Sequence, residues 1–132
     1  MRKVSVAAFA AFLLQAGQLS AHHSFGMFDT TKRVVVEGAM KAFQMVNPHS
    51  FLVLTAKDAA GKDVEWWIEA GSLVQLKRQG WTRQSVKAGD KVSLIINPLR
   101  EDRPGGYLVQ ATVNGRLVGQ PAPPVVAPAT GG

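Results

Sequence analysis

Between residues 33 and 115 the chain is divided into five short runs rich in β-branched and aromatic residues, interrupted by a single helical pattern. RVVVEGAMKAFQMV, SFLVLTAKD and DVEWWIEA come first, separated by NPH and by the hairpin-like DAAGK, which predicts three consecutive antiparallel strands. Gly38 inside the first run predicts a bulge or sharp bend, because a strand of that length must curve to stay on one core.

GSLVQLKRQG then changes character. Ser72 can cap, Leu73, Val74, Leu76 and Lys77 give a short stripe, and Gly80 can end it, predicting a helix of about two turns. KVSLIINP and GYLVQATVNG supply two further strands after the tight turn KAGD and the turn-rich LREDRPGG. The order β-β-β-α-β-β predicts an all-β domain with one short helix, a small five-stranded barrel of the OB type. A small β-sandwich is the alternative. Barrel closure has the advantage of hiding edge strands.

With 132 residues there is room for one such domain. MRKVSVAAFAAFLLQAGQLSA has the grammar of a secretory signal peptide: Arg2 and Lys3, the apolar run Val4–Leu14, then small residues at Ser20 and Ala21. The apolar run is shorter than the roughly 20 residues needed to span hydrocarbon, so no anchor is expected after cleavage. The expected organisation is a leader over 1–21, an arm over 22–32, the barrel over 33–117 and a disordered Pro/Gly-rich tail over 118–132. A leader implies a periplasmic or secreted protein. No cysteine is present, so disulfides and lipoprotein anchors are excluded. Without Arg2 and Lys3, 13 Lys and Arg stand against 9 Asp and Glu, a net charge of +4. These charges are scattered, which together with export argues against a nucleic-acid partner and for a small ligand or an envelope protein.

In DVEWWIEA the pleat sends Trp66 and Trp67 to opposite faces. Val64, Trp66 and Ile68 then form the core side, and Trp67 joins Glu65 and Glu69 outside. Trp67, Glu69 and Asn47 of the NPH turn mark a candidate ligand face, although an outward Trp67 can also simply pack under the arm or the tail. Glu65 and Glu69 lie about 13 Å apart on a strand, too far to share acid and base work across one bond. No Ser-His-Asp order, phosphate loop or HExxH motif occurs, and Asp58 to Asp63 lacks the spacing of a calcium loop. The expectation is a binding module rather than an enzyme.

Two of the three histidines, His22 and His23, follow the leader directly. Cleavage after Ala21 gives His22 a free amine beside its ring, and a second imidazole from His49 would complete a histidine brace for copper, with His23 a further candidate ligand. Reach is the difficulty. A straight run from 33 to 45 spans about 40 Å, while the arm extends at most about 35 Å. In its structural role His49 is a turn residue whose ring bonds nearby backbone.

HHSF with Phe28 and Asp29, EGAMKAFQMVNPHSFL, EWWIEAGSLVQLKRQGW and GDKVSLIINPLREDRPGG together resemble the small exported bacterial proteins of domain-of-unknown-function family 6152. The resemblance covers about residues 21 to 117. It rests on His22, His23, Ser24, Phe25, Asn47, Pro48, His49, Trp67, Glu69, Leu76, Gly80, Trp81, Gly89, Asp90 and Pro98. It implies a small periplasmic β protein and, because the family has no assigned activity, brings no catalytic residues. Phe25 and Phe28 are expected to anchor the arm to the barrel.

Overall fold

The computed structural model describes residues 26–125. The expected leader over 1–21, His22, His23, Ser24, Phe25 and residues 126–132 lie outside the described residues. The elements are β1 (Val34–Gln44), β2 (Phe51–Lys57), β3 (Asp63–Glu69), helix α1 (Leu73–Arg78), β4 (Lys91–Pro98), β5 (Gly105–Val113) and β6 (Arg116–Val118). The strands form one sheet in the order β3-β2-β1-β4-β5-β6, and β3 also pairs with β5, which closes the first five into a barrel. All pairings are antiparallel except this closing one, where Trp67, Ile68 and Glu69 run parallel to Gly105, Gly106 and Tyr107. The expected five-stranded OB-type barrel is therefore observed, with a sixth short strand added at the end.

β1 belongs to both halves of the barrel. Val34 to Ala39 pair with β4, and Ala39 to Gln44 pair with β2, so the strand changes partner at its middle. The register irregularity falls between Met40 and Ala42 rather than at Gly38. Gly38 has a different job: a Cβ there would lie 2.1 Å from the Thr55 carbonyl oxygen, so only a bare α-carbon lets β2 cross this closely.

Alternation along each strand fills the interior. Leu52 and Leu54 of β2, Ile68 of β3, and Leu94 and Ile96 of β4 are fully buried, each stabilising the fold by about 1.5–3 kcal/mol through apolar burial. Helix α1 is built as its sequence suggests. Ser72 accepts from the Gln75 amide and Gln75 returns a bond to the Ser72 amide, a reciprocal capping box. Gly80 follows with φ +90°. Of the expected stripe, Leu76 is buried, Leu73 packs against the core's edge and Val74 stays exposed. Trp81, directly after the helix, is buried against Phe43.

β5 is followed by Asn114 and Gly115, with φ of 48° and 80°, the pair of left-handed residues that a two-residue hairpin requires. This returns the chain as β6 along β5. Beyond it, Gly119 lies against the Trp81 indole and the Ala122 amide donates to Gln110 Oε1 at 2.8 Å. Among the described residues no helix is long and apolar enough to cross a membrane.

Gly38→Ala is expected to destabilise the protein by about 1–3 kcal/mol in urea unfolding, because the clash is with backbone that cannot move aside. Gly26→Ala, whose added carbon meets nothing within 4 Å, should stay within about 0.5 kcal/mol of the parent.

Candidate functional site

The outer face of β2 and β3 forms the floor of a groove of about 520 Å³, walled by the β1–β2 turn, the β4–β5 loop and the arm. Its lining includes Phe51, Trp67, Glu69, His49, Pro48, Leu99, Arg103, Met27 and Phe28. In OB barrels the face of strands 2 and 3 with these same two connections is the ligand surface. A broader depression over Val35, Thr55, Lys57 and Asp63 lies on the outside of β1–β3, without aromatic side chains in its lining.

Trp67 is the centre of the floor. As the alternation predicts, Trp66 packs against the core while Trp67 faces out at 55% exposure. The indole is not loose: it stacks on Phe51, with centroids 5.8 Å apart and planes 24° from parallel, and its Nε1 donates to Glu65 Oε1 at 2.9 Å. Glu65 is in turn bonded by Lys41 Nζ. The Lys41 ammonium first, and the Trp67 N–H second, hold the Glu65 carboxyl below its ordinary value.

The NPH turn is clamped to the end of β3. Ser50, fully buried, bonds its backbone to Gly71 and Ala70, and its hydroxyl bridges the Val46 amide and carbonyl across the turn. The Asn47–Pro48 peptide is cis. Asn47 Oδ1 accepts the Leu73 amide at 3.1 Å, so this side chain serves the start of α1 and is absent from the groove lining. His49 lines the groove, and its Nδ1 lies 3.2 Å from Glu69 Oε1. Trp67, Glu69 and His49 are thus brought together, with Asn47 behind them. Glu65 and Glu69 each have their own partner, Lys41 and His49.

The arm forms the other wall. Phe28, 3% exposed, forms an isolated antiparallel bridge with Leu99 and sets its ring 5.6 Å from Tyr107. The Asp29 amide donates to Pro98 O and the Arg100 amide to Met27 O, both at 2.8 Å, while Arg100 Nε donates to Gly26 O. Asp29 then turns the chain into β1 by accepting the Thr31 amide and pairing with Lys32. Burial, and then the Glu69 carboxylate, push the Tyr107 hydroxyl above its ordinary value. The expected Phe28 anchor is in place.

The β4–β5 loop is the part of the site that strand-and-turn reading did not single out. Leu99 and Arg103 reach the groove from it, and Arg103 Nε is bonded to Glu101 Oε2 at 2.8 Å. LREDRPGG looks like any turn-rich connection. The available signal was its position, since the connection between the last two barrel strands borders the OB ligand face. Among the described residues no three His, Asp or Glu side chains gather as a metal set.

Two expectations follow. Phe28→Ala should undock the arm locally, so that amide exchange at Asp29 and Arg100 accelerates about tenfold or more while the Leu94 amide is unchanged. A carboxyl held low contributes stability that is present above its ordinary value and is lost as the pH falls through the lowered one. The Trp67 indole N–H resonance should therefore titrate with a midpoint below that of an ordinary glutamate, and Lys41→Ala should move that midpoint up.

A family profile described as DUF6152, "Family of unknown function", matches residues 11–108. The comparison with curated proteins gives no match. Among solved structures, the crystal structure of a mitochondrial single-stranded DNA binding protein from S. cerevisiae is similar at 10% identity and a TM-score of 0.46, covering 62% of this chain and 92% of that one. The profile spans the arm, the NPH turn, the first four strands, the helix and β5 as far as Leu108, and so contains every groove-lining residue named above. This chain belongs to the DUF6152 family of unknown function.

Proposed function

We propose that this protein is an exported, non-enzymatic binding module that takes a small, flat, uncharged ligand into the groove over Trp67. The observation that carries the reading is the Trp67 indole, more than half exposed yet fixed in orientation by Phe51 and Glu65. An exposed ring costs hydration free energy, and one already held in place loses little conformational freedom when a ligand stacks on it. Apolar walls from Met27, Phe28, Pro48 and Leu99, with a few polar groups at the rim, fit the general pattern of small-molecule sites.

Charge favours a neutral ligand over a polyanion. Glu65 and Glu69 flank Trp67 on its own strand face, and two nearby cations, Lys41 and Arg103, are already bonded to Glu65 and Glu101. A nucleic-acid backbone would meet carboxylates where it needs unengaged Lys and Arg. Export rests on the leader-like segment 1–21, and a periplasmic or secreted setting would put an envelope molecule within reach.

The test is an NMR screen of the isotope-labelled mature protein against a library of neutral aromatic and saccharide fragments, with a dT12 oligonucleotide as the anionic contrast. Shifts are expected at the Trp67 indole, Phe51, Leu99 and Arg103, to disappear in Trp67→Ala, and to be absent with dT12. Losing the stack on Phe51 should cost that variant about 0.5–1.5 kcal/mol, which leaves the barrel folded. Fragment shifts centred elsewhere, shifts that survive Trp67→Ala, or strong dT12 binding on this face would contradict the proposal.

A further inference from the structure

Beyond residue 21 the chain carries 13 Lys and Arg against 9 Asp and Glu. Residues 70 to 89 hold Lys77, Arg78, Arg83 and Lys87 and no acidic residue, so the rest of the chain, with nine of each sign, is balanced. The cations look scattered along the sequence, yet the whole excess sits in one stretch. All four side chains are exposed. The ion pairs of the described residues draw on Lys32, Lys41, Lys57, Arg103 and His49 instead.

The fold turns this stretch outward as a surface. Helix α1 sends Leu76 into the core and sets Val74, Lys77 and Arg78 on its outer side, at the i, i+3 and i+4 spacing of neighbours on one helix face. Buried Trp81 and Val86 pin the connection that follows, and between them the Thr82 amide donates to Ser85 Oγ. Arg83 Nη1 donates to the Met45 carbonyl at 2.8 Å, which fixes the guanidinium and leaves its remaining N–H groups to an outside partner. Lys87 borders a depression that it shares with Leu117 of β6. Val74 and Leu117 are each about half exposed. The next acid in the chain, Asp90, accepts from the Lys87 amide and from the Asn114 side chain. None of these residues lines the groove over Trp67.

We propose that this surface, with Lys77, Arg78, Arg83 and Lys87 set around Val74 and Leu117, docks the protein on an anionic lipid bilayer. Each Lys or Arg held near such a bilayer raises the bound fraction about fivefold, and the attraction fades within a Debye length of about 10 Å. Long basic side chains keep their charge at the headgroups while their stems lie on apolar surface, and exposed aliphatic groups between them enter the headgroup boundary. A protein partner is a poorer fit, because protein interfaces take most of their energy from aromatic and other large anchors, which this surface does not expose. A single-stranded nucleic acid is poorer still: it needs stacking platforms, and Trp81, the one aromatic residue of the stretch, is buried. Docking here is independent of ligand binding over Trp67, since the two surfaces share no residue.

The test is co-sedimentation of the chain from residue 22 onward, which holds every described element, with vesicles of phosphatidylcholine alone or with about one-third phosphatidylglycerol added. Residues 1–21 are left out because their own apolar run would bind lipid. Binding is expected to the anionic vesicles and not to the neutral ones, and to fall steeply between about 0.1 and 0.5 M NaCl. Lys77→Glu with Arg78→Glu should weaken it by at least about tenfold, and Lys87→Glu alone by a smaller factor in the same direction. Arg33→Glu with Lys62→Glu, an equal change in net charge elsewhere on exposed positions, should leave it within about threefold. All of these positions are exposed, so the thermal midpoint should not move. The proposal is overturned if anionic vesicles are not bound, if neutral vesicles are bound equally, or if the two double variants weaken binding alike, which would mean a diffuse effect of net charge. It is also overturned if dT12 binds more tightly than the vesicles and is lost in Lys77→Glu with Arg78→Glu, the result of a nucleic-acid surface. Fragment shifts at Trp67 would be unchanged in every one of these variants.

Discussion

The short parallel seam joining Trp67, Ile68 and Glu69 to Gly105, Gly106 and Tyr107 is the interaction on which the rest depends. Without it the sheet is an open ribbon of coiled strands with two unpaired edges, a form that proteins usually protect. The two glycines explain why the seam can form. A side chain at Gly105 would strike Leu99 and one at Gly106 would strike the Asn97 carbonyl, so the β4–β5 connection could not fold over tightly enough for β5 to reach β3. Closure then fixes the inside and the outside together: Ile68 is driven into the core, and Trp67 and Glu69 are turned out on the same face as Tyr107.

The groove follows from the seam. Because β5 is joined to β3, the loop before it, carrying Leu99 and Arg103, lies over the outer face of β2 and β3, and the arm that bridges Leu99 is carried there too. The NPH turn arrives from the other side, tied by Ser50 to the residues just after β3. Segments far apart in sequence meet at one place: the arm is held by backbone bonds to Pro98 and Arg100 together with the buried Phe28 ring, and the NPH turn by the backbone and hydroxyl of Ser50. This leaves Trp67 and His49 oriented by single carboxylates, Glu65 and Glu69, yet still exposed, an arrangement suited to binding.

Much of this was legible in the sequence where local physics decides. The alternation in DVEWWIEA gave Trp66 and Trp67 opposite faces, Ser72 with Gln75 marked the helix start, and KAGD and Gly80 sat where positive φ is needed. What could not be read was set by long-range geometry. The irregularity in β1 falls at Met40–Ala42 while Gly38 answers to the crossing of β2, which no local pattern reveals. Asn47 looked like a groove residue by position, but its oxygen is taken by the Leu73 amide, a partner 26 residues away. The His49–Glu69 pair joins a turn to the end of a strand 20 positions on. The hairpin at Asn114 and Gly115 was legible in principle, since Asn-Gly between apolar residues is a strong turn signal.

Arm docking is the step that links the barrel to everything proposed for the groove, and it can be observed directly in solution. Proton–proton NOEs between the Phe28 ring and Tyr107, and between Phe28 and the Leu99 methyl groups, should be strong in solution, since the two rings lie 5.6 Å apart and Phe28 bridges Leu99. Their presence would place the arm along the groove before any ligand is added. Random-coil shifts for residues 26 to 29, with no such NOEs, would mean that the arm leaves the barrel in solution, and the groove as described would lose one of its walls.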